Sequence, residues 1–189
     1  MGLPTKKLFE WILKRERLAK IEVQVCFPYR AAICTEAIGQ LKYSKNTVAA
    51  KLLAEAVWPI LERFEVDVIV PAPISKRTRK ERGYNQIEVL LEEIKRIAAR
   101  ETRNQICHQI RYDILEKRHD TKKQSLTSSR GERLKNLQSA FRVQNPALIQ
   151  GKTLLLVDDV YTTGATSEEM KNTLLRAGAK TVTIFCLAH

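Results

Sequence analysis

Three short apolar runs limit most strongly how this chain can fold. They are VDVIVPAP at 66–73, KTLLLVDDV at 152–160 and TVTIFCLA at 181–188. Strands that are apolar on both faces must be covered on both sides, which is typical of parallel strands inside an α/β sheet. Helical patterns alternate with these runs, at 46–64, 85–101 and about 167–177. This order predicts an α/β fold with a mostly parallel central sheet and helices on both of its faces.

Two of these helices have recognisable end signals. Asn85, with Glu88 three positions later, has the spacing of a capping box and is expected to begin the helix at 85–101. Gly178 is expected to end the helix at 167–177, because glycine readily takes the left-handed conformation that follows many helices.

The residues before position 46 are expected to form a smaller part of the molecule. Residues 8–20 have helical spacing, and IEVQVCF at 21–27 alternates apolar and polar residues like a strand or a hairpin arm. We therefore predict an N-terminal extension with hood elements over residues 1–45 and the α/β domain over residues 46–189.

The composition is that of an ordinary globular protein. The chain has 189 residues and a mass of 21.7 kDa, with 44% hydrophobic and 29% charged residues. No apolar run approaches the ~20 residues that a membrane span needs. The N-terminus has neither a long apolar block nor a small-residue cleavage site. We therefore expect a cytoplasmic protein without a membrane span.

The four cysteines, Cys26, Cys34, Cys107 and Cys186, are far apart in the sequence. None forms a C-x-x-C pair, so the spacing typical of zinc sites is missing. We expect reduced thiols, no zinc and no disulfide framework.

The net charge of +12 predicts a polyanionic partner. A phosphorylated small molecule and a nucleic acid both fit, and charge alone does not choose between them. The run KRTRKER at 76–82 carries five cations in seven residues, and a second basic stretch spans 117–135. The first run follows the strand at 66–73 directly, and we expect it to be a loop at the edge of the sheet.

The stretch LLLVDDVYTTGAT, residues 154–166, carries the most specific pattern in the chain. Gly164 permits a tight turn, and the amides and threonine hydroxyls around it, backed by a helix N-terminus, suit a phosphate monoester. Asp158 and Asp159 can accept hydrogen bonds from sugar hydroxyls and hold Mg²⁺ directly or through water. The alternative is an Asp turn at a strand end followed by an ordinary threonine cap. The P-loop and the G-x-G-x-x-G fingerprint are both missing from the sequence.

This stretch resembles the signature of type I phosphoribosyltransferases, which bind phosphoribosyl pyrophosphate (PRPP). The resemblance implies that Asp158 and Asp159 contact the ribose hydroxyls, with Mg²⁺ accompanying PRPP. It also implies that the following turn binds the 5-phosphate through Thr162, Thr163, Gly164, Ala165 and Thr166.

Three further segments resemble the competence ComF-like group of this superfamily. They are LKY at 41–43, the stretch from IVPAP at 69–73 to RGYNQ at 82–86, and the spaced residues from Arg118 to Phe141. The resemblance covers roughly residues 27–189. Many members begin with a four-cysteine zinc module, and this chain offers only Cys26 and Cys34 in that half.

The basic run and the segment after Lys117 have two interpretations each. Pro73, Arg77 and Arg79 either bind the pyrophosphate group, which guanidinium groups suit, or belong to a solvated surface turn. A second set either forms a hood over the acceptor site or contacts nucleic acid, and its members are Arg118, Thr121, Gln124 and Arg130.

The resemblance implies transfer of a phosphoribosyl group from PRPP·Mg²⁺ to a nitrogen acceptor, in a protein connected with DNA uptake and natural transformation. Two alternatives stay open. One is a non-catalytic competence factor that binds single-stranded DNA, and the other is a sensor of PRPP or a phosphorylated nucleotide. The acceptor and the oligomeric state are open, with a homodimer as one option.

Overall fold

The computed structural model describes residues 23–27, 32–43, 47–101, 105–118 and 140–189. Its strands are β1 (Val23–Phe27), β2 (Val68–Pro71), β3 (Leu115–Lys117), β4 (Phe141–Val143), β5 (Thr153–Val160) and β6 (Thr181–Ala188). Its helices are α1 (Ala32–Tyr43), α2 (Thr47–Leu61), α3 (Lys76–Arg82), α4 (Gln86–Arg100), α5 (Gln105–Gln109) and α6 (Ala165–Arg176). A 3₁₀ turn covers Pro146–Leu148.

The central sheet has four strands in the order β1-β6-β5-β2, and every neighbouring pair is parallel. The predicted α/β class with a mostly parallel sheet is therefore confirmed. β1 lies within the residues 1–45 that the sequence assigned to an extension, yet it pairs with β6 as an edge strand of the main sheet. One strand of the central sheet therefore lies before the domain boundary that the sequence predicts at residue 45.

The sheet is covered on both faces because alternate residues of its strands enter two separate cores. Leu155 and Val157 of β5 pack on the face covered by α2 and α4. Leu154 and Leu156 point to the opposite face, where Met170 of α6 packs. The four β5 residues are fully buried, which explains the uninterrupted apolar run in the sequence.

The helix predictions agree with the structure in type and nearly in length. Asn85 caps α4 by accepting a hydrogen bond from the Ile87 amide at 3.0 Å. Glu88 does not form the backbone bond of a capping box. Its Oε1 accepts instead from the Asn85 side-chain amide at 3.5 Å and pairs with the Arg79 guanidinium. α6 begins two residues before the predicted start at 167, and the predicted helix at 8–20 lies outside the described residues.

The basic run at 76–82 is a helix, α3, and the prediction of a loop was wrong. The Ser75 hydroxyl accepts a hydrogen bond from the Thr78 amide at 3.1 Å and caps its start. Gly83 ends it with a φ of 84°, a left-handed conformation that favours glycine. These two caps stabilise a short helix whose side chains are mostly exposed.

A small antiparallel hairpin of β3 and β4 lies beside the sheet. Leu115 and Phe141 from the hairpin and Ile114 before it belong to the same core as α6. Over the described residues, no helix has the length and apolar character needed to span a membrane.

Candidate functional site

Two neighbouring strands, β2 and β5, run parallel and end at the same edge of the sheet. In such folds ligands bind beyond this edge. A concave pocket of about 240 Å³ lies there. The described residues that line it are Ala72, Pro73, Lys117, Asp158, Asp159, Val160, Thr162, Gly164, Thr166, Ser167 and Met170.

The turn between β5 and α6 forms one wall of this pocket. Thr162, Gly164 and Thr166 line the pocket, and Thr162 and Thr166 are exposed. Thr163 of the same turn and Ala165, the first residue of α6, are not among the described lining residues. α6 is 12 residues long, so the free amides of its first turn present a partial positive charge to this wall. The pocket therefore suits an anionic group at this position.

Gly164 fixes the shape of the turn. Its φ is 76°, and a Cβ at this position would lie 2.2 Å from the Tyr161 hydroxyl oxygen. Tyr161 is 7% exposed and stacks on the His189 ring, so it has little room to move away. The sequence therefore needs glycine here for both conformation and space.

Asp158 is held by two hydrogen bonds at the end of β5. One carboxylate oxygen, Oδ1, accepts from the Asp159 amide at 2.8 Å, and Oδ2 accepts from the Ser167 hydroxyl at 3.2 Å. Burial, together with the negative charge of Asp159, raises the pKa of Asp158 from 3.8 to about 6. A carboxylate with a raised pKa beside a pocket is typical of a functional site.

Asp159 is held from the opposite side by groups from two helices. Its Oδ2 atom accepts a hydrogen bond from the Gln86 side-chain amide at 2.7 Å and lies 2.9 Å from the Lys42 ammonium. The Lys42 side chain is 24% exposed and that of Asp159 is 13% exposed, so water screens this ion pair only in part. The two acids of the pair are therefore anchored through different partners.

The end of α1 contacts the segment between α3 and α4 at neighbouring residues. The Leu41 carbonyl accepts a hydrogen bond from the Tyr84 hydroxyl at 2.9 Å, and the Arg82 guanidinium lies 5.7 Å from the centre of the Tyr43 ring. These contacts join the LKY and RGYNQ segments, which the sequence had matched to the family without assigning Lys42 or Gln86 a role. The motif match was the signal that could have identified both residues.

We expect Lys42→Met to lower the free energy of unfolding by about 1–2 kcal/mol at neutral pH, because Asp159 loses its ammonium partner while Asp158 stays close. Urea denaturation measures the change. Lys51→Met is the matched control, since Lys51 is an exposed lysine of α2. Equal stability of the two variants would contradict this role of Lys42.

Asp158→Asn is expected to stabilise the free protein at neutral pH. Because the folded-state pKa is raised to about 6, the folded protein binds the proton more tightly than the unfolded chain, and stability falls as pH rises from about 4 to 6. Asparagine lacks this charge. Its Oδ1 can accept from the Asp159 amide, and its Nδ2 can donate to the Ser167 hydroxyl oxygen in place of the bond that Ser167 donates to Asp158. The free energy of unfolding of Asp158→Asn should equal that of wild type below about pH 4 and exceed it by about 1–3 kcal/mol above pH 6.

Denaturation at several pH values tests this prediction. Asp113→Asn is the control of opposite sign, because the hydrogen bonds from Arg111 lower the pKa of Asp113. That variant should lose stability at neutral pH, the pH at which Asp158→Asn gains it. A loss of stability in Asp158→Asn at pH 7 would show that the Asp158 charge supports the fold.

Of the three residues predicted to bind pyrophosphate, the structure brings one to the pocket. Pro73 lines it, but Arg77 lies 2.7 Å from Glu81 and Arg79 pairs with Glu88. Neither arginine is among the described lining residues. Lys117, to which the sequence assigned no role, does line the pocket.

The residues predicted for the acceptor or for nucleic acid are described only in part. Arg118 is exposed, and its amide donates to the Ala140 carbonyl at 2.8 Å. Thr121, Gln124 and Arg130 lie outside the described residues.

The donor set of the pocket fits a Mg²⁺ ion that keeps part of its water shell. Asp158 and Asp159 offer carboxylate oxygens, the donors that Mg²⁺ prefers. Within the described part of the chain, no group of three or more His, Cys, Asp or Glu residues could hold a metal by itself. Two carboxylates would leave the other coordination positions of a magnesium ion to water or to ligand oxygens.

Comparison with known proteins identifies relatives of most of the chain. The phosphoribosyl transferase domain model matches residues 89–189. The DNA utilization protein YhgH of Escherichia coli O157:H7 is 32% identical over 161 residues, which cover 80% of this chain and 65% of that protein. The competence protein ComFC of Streptococcus pneumoniae is 32% identical over 164 residues, covering 86% of this chain and 66% of ComFC. This chain thus spans less than two thirds of their length.

Among solved structures, the allosteric regulatory enzyme of purine biosynthesis superposes on 78% of this chain and 29% of its own. The TM-score is 0.47 and the sequence identity is 18%.

Proposed function

Because this chain belongs to the phosphoribosyl transferase domain family, within its ComF-like group, we propose that it binds PRPP with Mg²⁺ in the pocket at the β5 edge and transfers the phosphoribosyl group to a nitrogen acceptor. The single observation that carries the proposal is that one pocket holds both the acid pair and the turn before α6. In a ribose phosphate, the hydroxyls can donate to the acid pair and the phosphate can accept from the turn.

The roles of the residues follow from their chemistry. The segment from Thr162 to Thr166, which comprises the turn and the first two residues of α6, binds the 5-phosphate through its backbone amides and hydroxyls. Asp158 and Asp159 accept hydrogen bonds from the ribose hydroxyls, and Lys42 and Gln86 keep Asp159 in place for this. Mg²⁺, when bound with the diphosphate, would offset part of its negative charge.

No covalent intermediate with the protein is required in this scheme. The glycosidic C1–O bond breaks, pyrophosphate leaves with the bonding electrons, and the acceptor nitrogen forms the new bond to C1 and loses a proton. Fixed positions of the two reactants and dipoles aimed at the sugar phosphate supply the rate enhancement.

Release of pyrophosphate tests the enzyme proposal. The full chain is mixed with PRPP, Mg²⁺ and a panel of bases and amines, and pyrophosphate is measured by a coupled assay. We expect release that depends on both protein and acceptor. Binding of PRPP without release for any acceptor would favour a PRPP sensor over an enzyme.

A second candidate function is binding of single-stranded DNA, alone or under control of the PRPP site. It is supported by the net charge of +12 and by the relatives, which are named for DNA utilization and competence. Aromatic residues make up only 6% of the chain, so base stacking should contribute little and phosphate contacts should dominate. We expect the affinity for an oligonucleotide to fall steeply with salt, which fluorescence anisotropy measures. An affinity independent of salt would contradict this function.

A further inference from the structure

Exposed apolar side chains are concentrated where α1 is followed by α2. Tyr43, Val48 and Leu52 are 82%, 63% and 60% exposed, and Tyr112 is the only other exposed large apolar side chain of the described residues. Tyr43 ends α1, and Val48 and Leu52 lie one turn apart on the same face of α2. We call these three residues the α2 patch. A group of exposed apolar residues is typical of a surface that another element covers, whereas a single one is ordinary.

The opposite side of α2 is already buried. Its Leu53, Val57 and Leu61 belong to the core between the sheet and α4. A helix that is apolar on more than one side is normally covered on each of those sides. The sequence of α2 therefore indicates a second packing partner besides the sheet and α4.

The N-terminal part of the sequence has an apolar face of the right kind. Residues 8–20 lie outside the described residues, and Leu8, Trp11, Ile12 and Leu18 recur there at helical spacing between charged residues. A short helix with this pattern gains most of its stability by packing its apolar face against another surface. The segment and the α2 patch thus need the same type of partner.

The position of this segment in the chain favours contact with α2. Only two residues separate position 20 from β1, which is an edge strand of the central sheet. α1 follows β1, and Ile38 and Leu41 of α1 enter the same core as α2. The segment therefore joins the chain close to the two helices that carry the patch.

Other occupants of the patch are less favourable. The segment 119–139 connects β3 to β4, whose Leu115 and Phe141 belong to the core on the opposite face of the sheet. A second copy of the chain would have to compete with a tethered segment, and a short tether gives an effective concentration of about millimolar. The segment at 8–20 is favoured over both.

We propose that residues 8–20 form a helix whose apolar side, which includes Trp11, packs on the α2 patch. The patch adjoins Lys42, whose ammonium lies 2.9 Å from the Asp159 carboxylate. Packing there would fix the end of α1 from which Lys42 reaches the acid pair. The inference holds whether or not the pocket binds PRPP.

Tryptophan fluorescence of the full chain tests the inference. The sequence has two tryptophans, so Trp58→Phe leaves Trp11 as the only one. In this variant we expect the short-wavelength emission and the slow acrylamide quenching of a buried indole. Adding Leu52→Lys should shift the emission to longer wavelength and speed the quenching severalfold, because an ammonium is unfavourable in an apolar contact. Leu52 is exposed in the described fold, so this substitution leaves the core intact.

Tyr112→Lys in the same background is the matched control. Tyr112 is an exposed apolar residue outside the patch, so its replacement by lysine should leave the emission of Trp11 unchanged. Trp58 is buried and its indole donates to Glu101 at 2.7 Å. If Trp58→Phe does not fold, fluorine NMR of the fluorotryptophan-labelled chain gives the same readout, and Trp11→Phe identifies the resonance of Trp11.

Three results would overturn the inference. Trp11 could have the emission of an exposed indole before Leu52 is replaced. It could have the emission of a buried indole and keep it in Leu52→Lys, which would place Trp11 against another surface. Its emission could also depend on protein concentration, together with a dimer mass in analytical ultracentrifugation, which would make a second copy the occupant of the patch.

Discussion

The double variant Asp158→Asn/Asp159→Asn is expected to bind PRPP·Mg²⁺ about 100-fold more weakly than wild type, or worse, and to remain folded. Each charged acceptor that hydrogen-bonds a sugar hydroxyl contributes about 1.5–3 kcal/mol, and the double substitution removes both. The fold should survive because removing the Asp158 charge removes an unfavourable burial of charge, as its raised pKa shows.

The control for this variant is Asp113→Asn. It removes an acid that pairs with Arg111 on the surface and is not among the described lining residues of the pocket. Its affinity for PRPP should equal that of wild type. If the double variant binds PRPP as tightly as this control, Asp158 and Asp159 do not belong to the ligand site.

The second large effect is expected for Gly164→Ala, which should weaken PRPP binding by about 10- to 100-fold and lower the free energy of unfolding by about 1–3 kcal/mol. The added Cβ would lie 2.2 Å from the Tyr161 hydroxyl, so the turn or the buried ring must shift. The left-handed φ of 76° adds strain for alanine. Either shift moves the amides that are expected to contact the phosphate.

The variant Gly151→Ala separates the effect of backbone strain from that of the clash with Tyr161. Gly151 has a similar φ of 68°, but nothing lies within 4 Å of a Cβ placed there. This variant should lose some stability through backbone strain and keep its affinity for PRPP. Thermal melts and titration of both variants give the comparison, and similar affinity losses in the two would show that the turn at Gly164 has no special role.

The sheet and the core of the pocket could be predicted from sequence because their signals are local. The apolar run before Asp158 indicates a strand that is buried on both faces. The small residues around Gly164 indicate a tight turn before a helix. A parallel sheet then places the ends of β5 and β2 at the same edge, and the strand order of the structure makes them neighbours.

Contacts between distant parts of the chain could not be predicted in this way. The ion pair between Lys42 and Asp159 depends on how α1 packs against the sheet. The residue spacing within α1 or within β5 does not indicate it. The same holds for Lys117, which reaches the pocket only because the hairpin of β3 and β4 lies beside Ser75.

The helix α3 was missed for a different reason. Five cations in seven residues predict a solvated loop, whereas the caps at Ser75 and Gly83 stabilise a helix in the structure. A capped helix of about two turns tolerates a charged sequence when its side chains are exposed.

The most direct test of the central claim is an isothermal calorimetric titration of the wild-type chain with PRPP in the presence of Mg²⁺. The account predicts saturable binding to one site per chain, which ribose 5-phosphate competes for and which Asp158→Asn/Asp159→Asn loses. Absence of binding by wild type, or binding that the double variant retains in full, would contradict the claim that the acids and the turn after β5 form a ribose phosphate site.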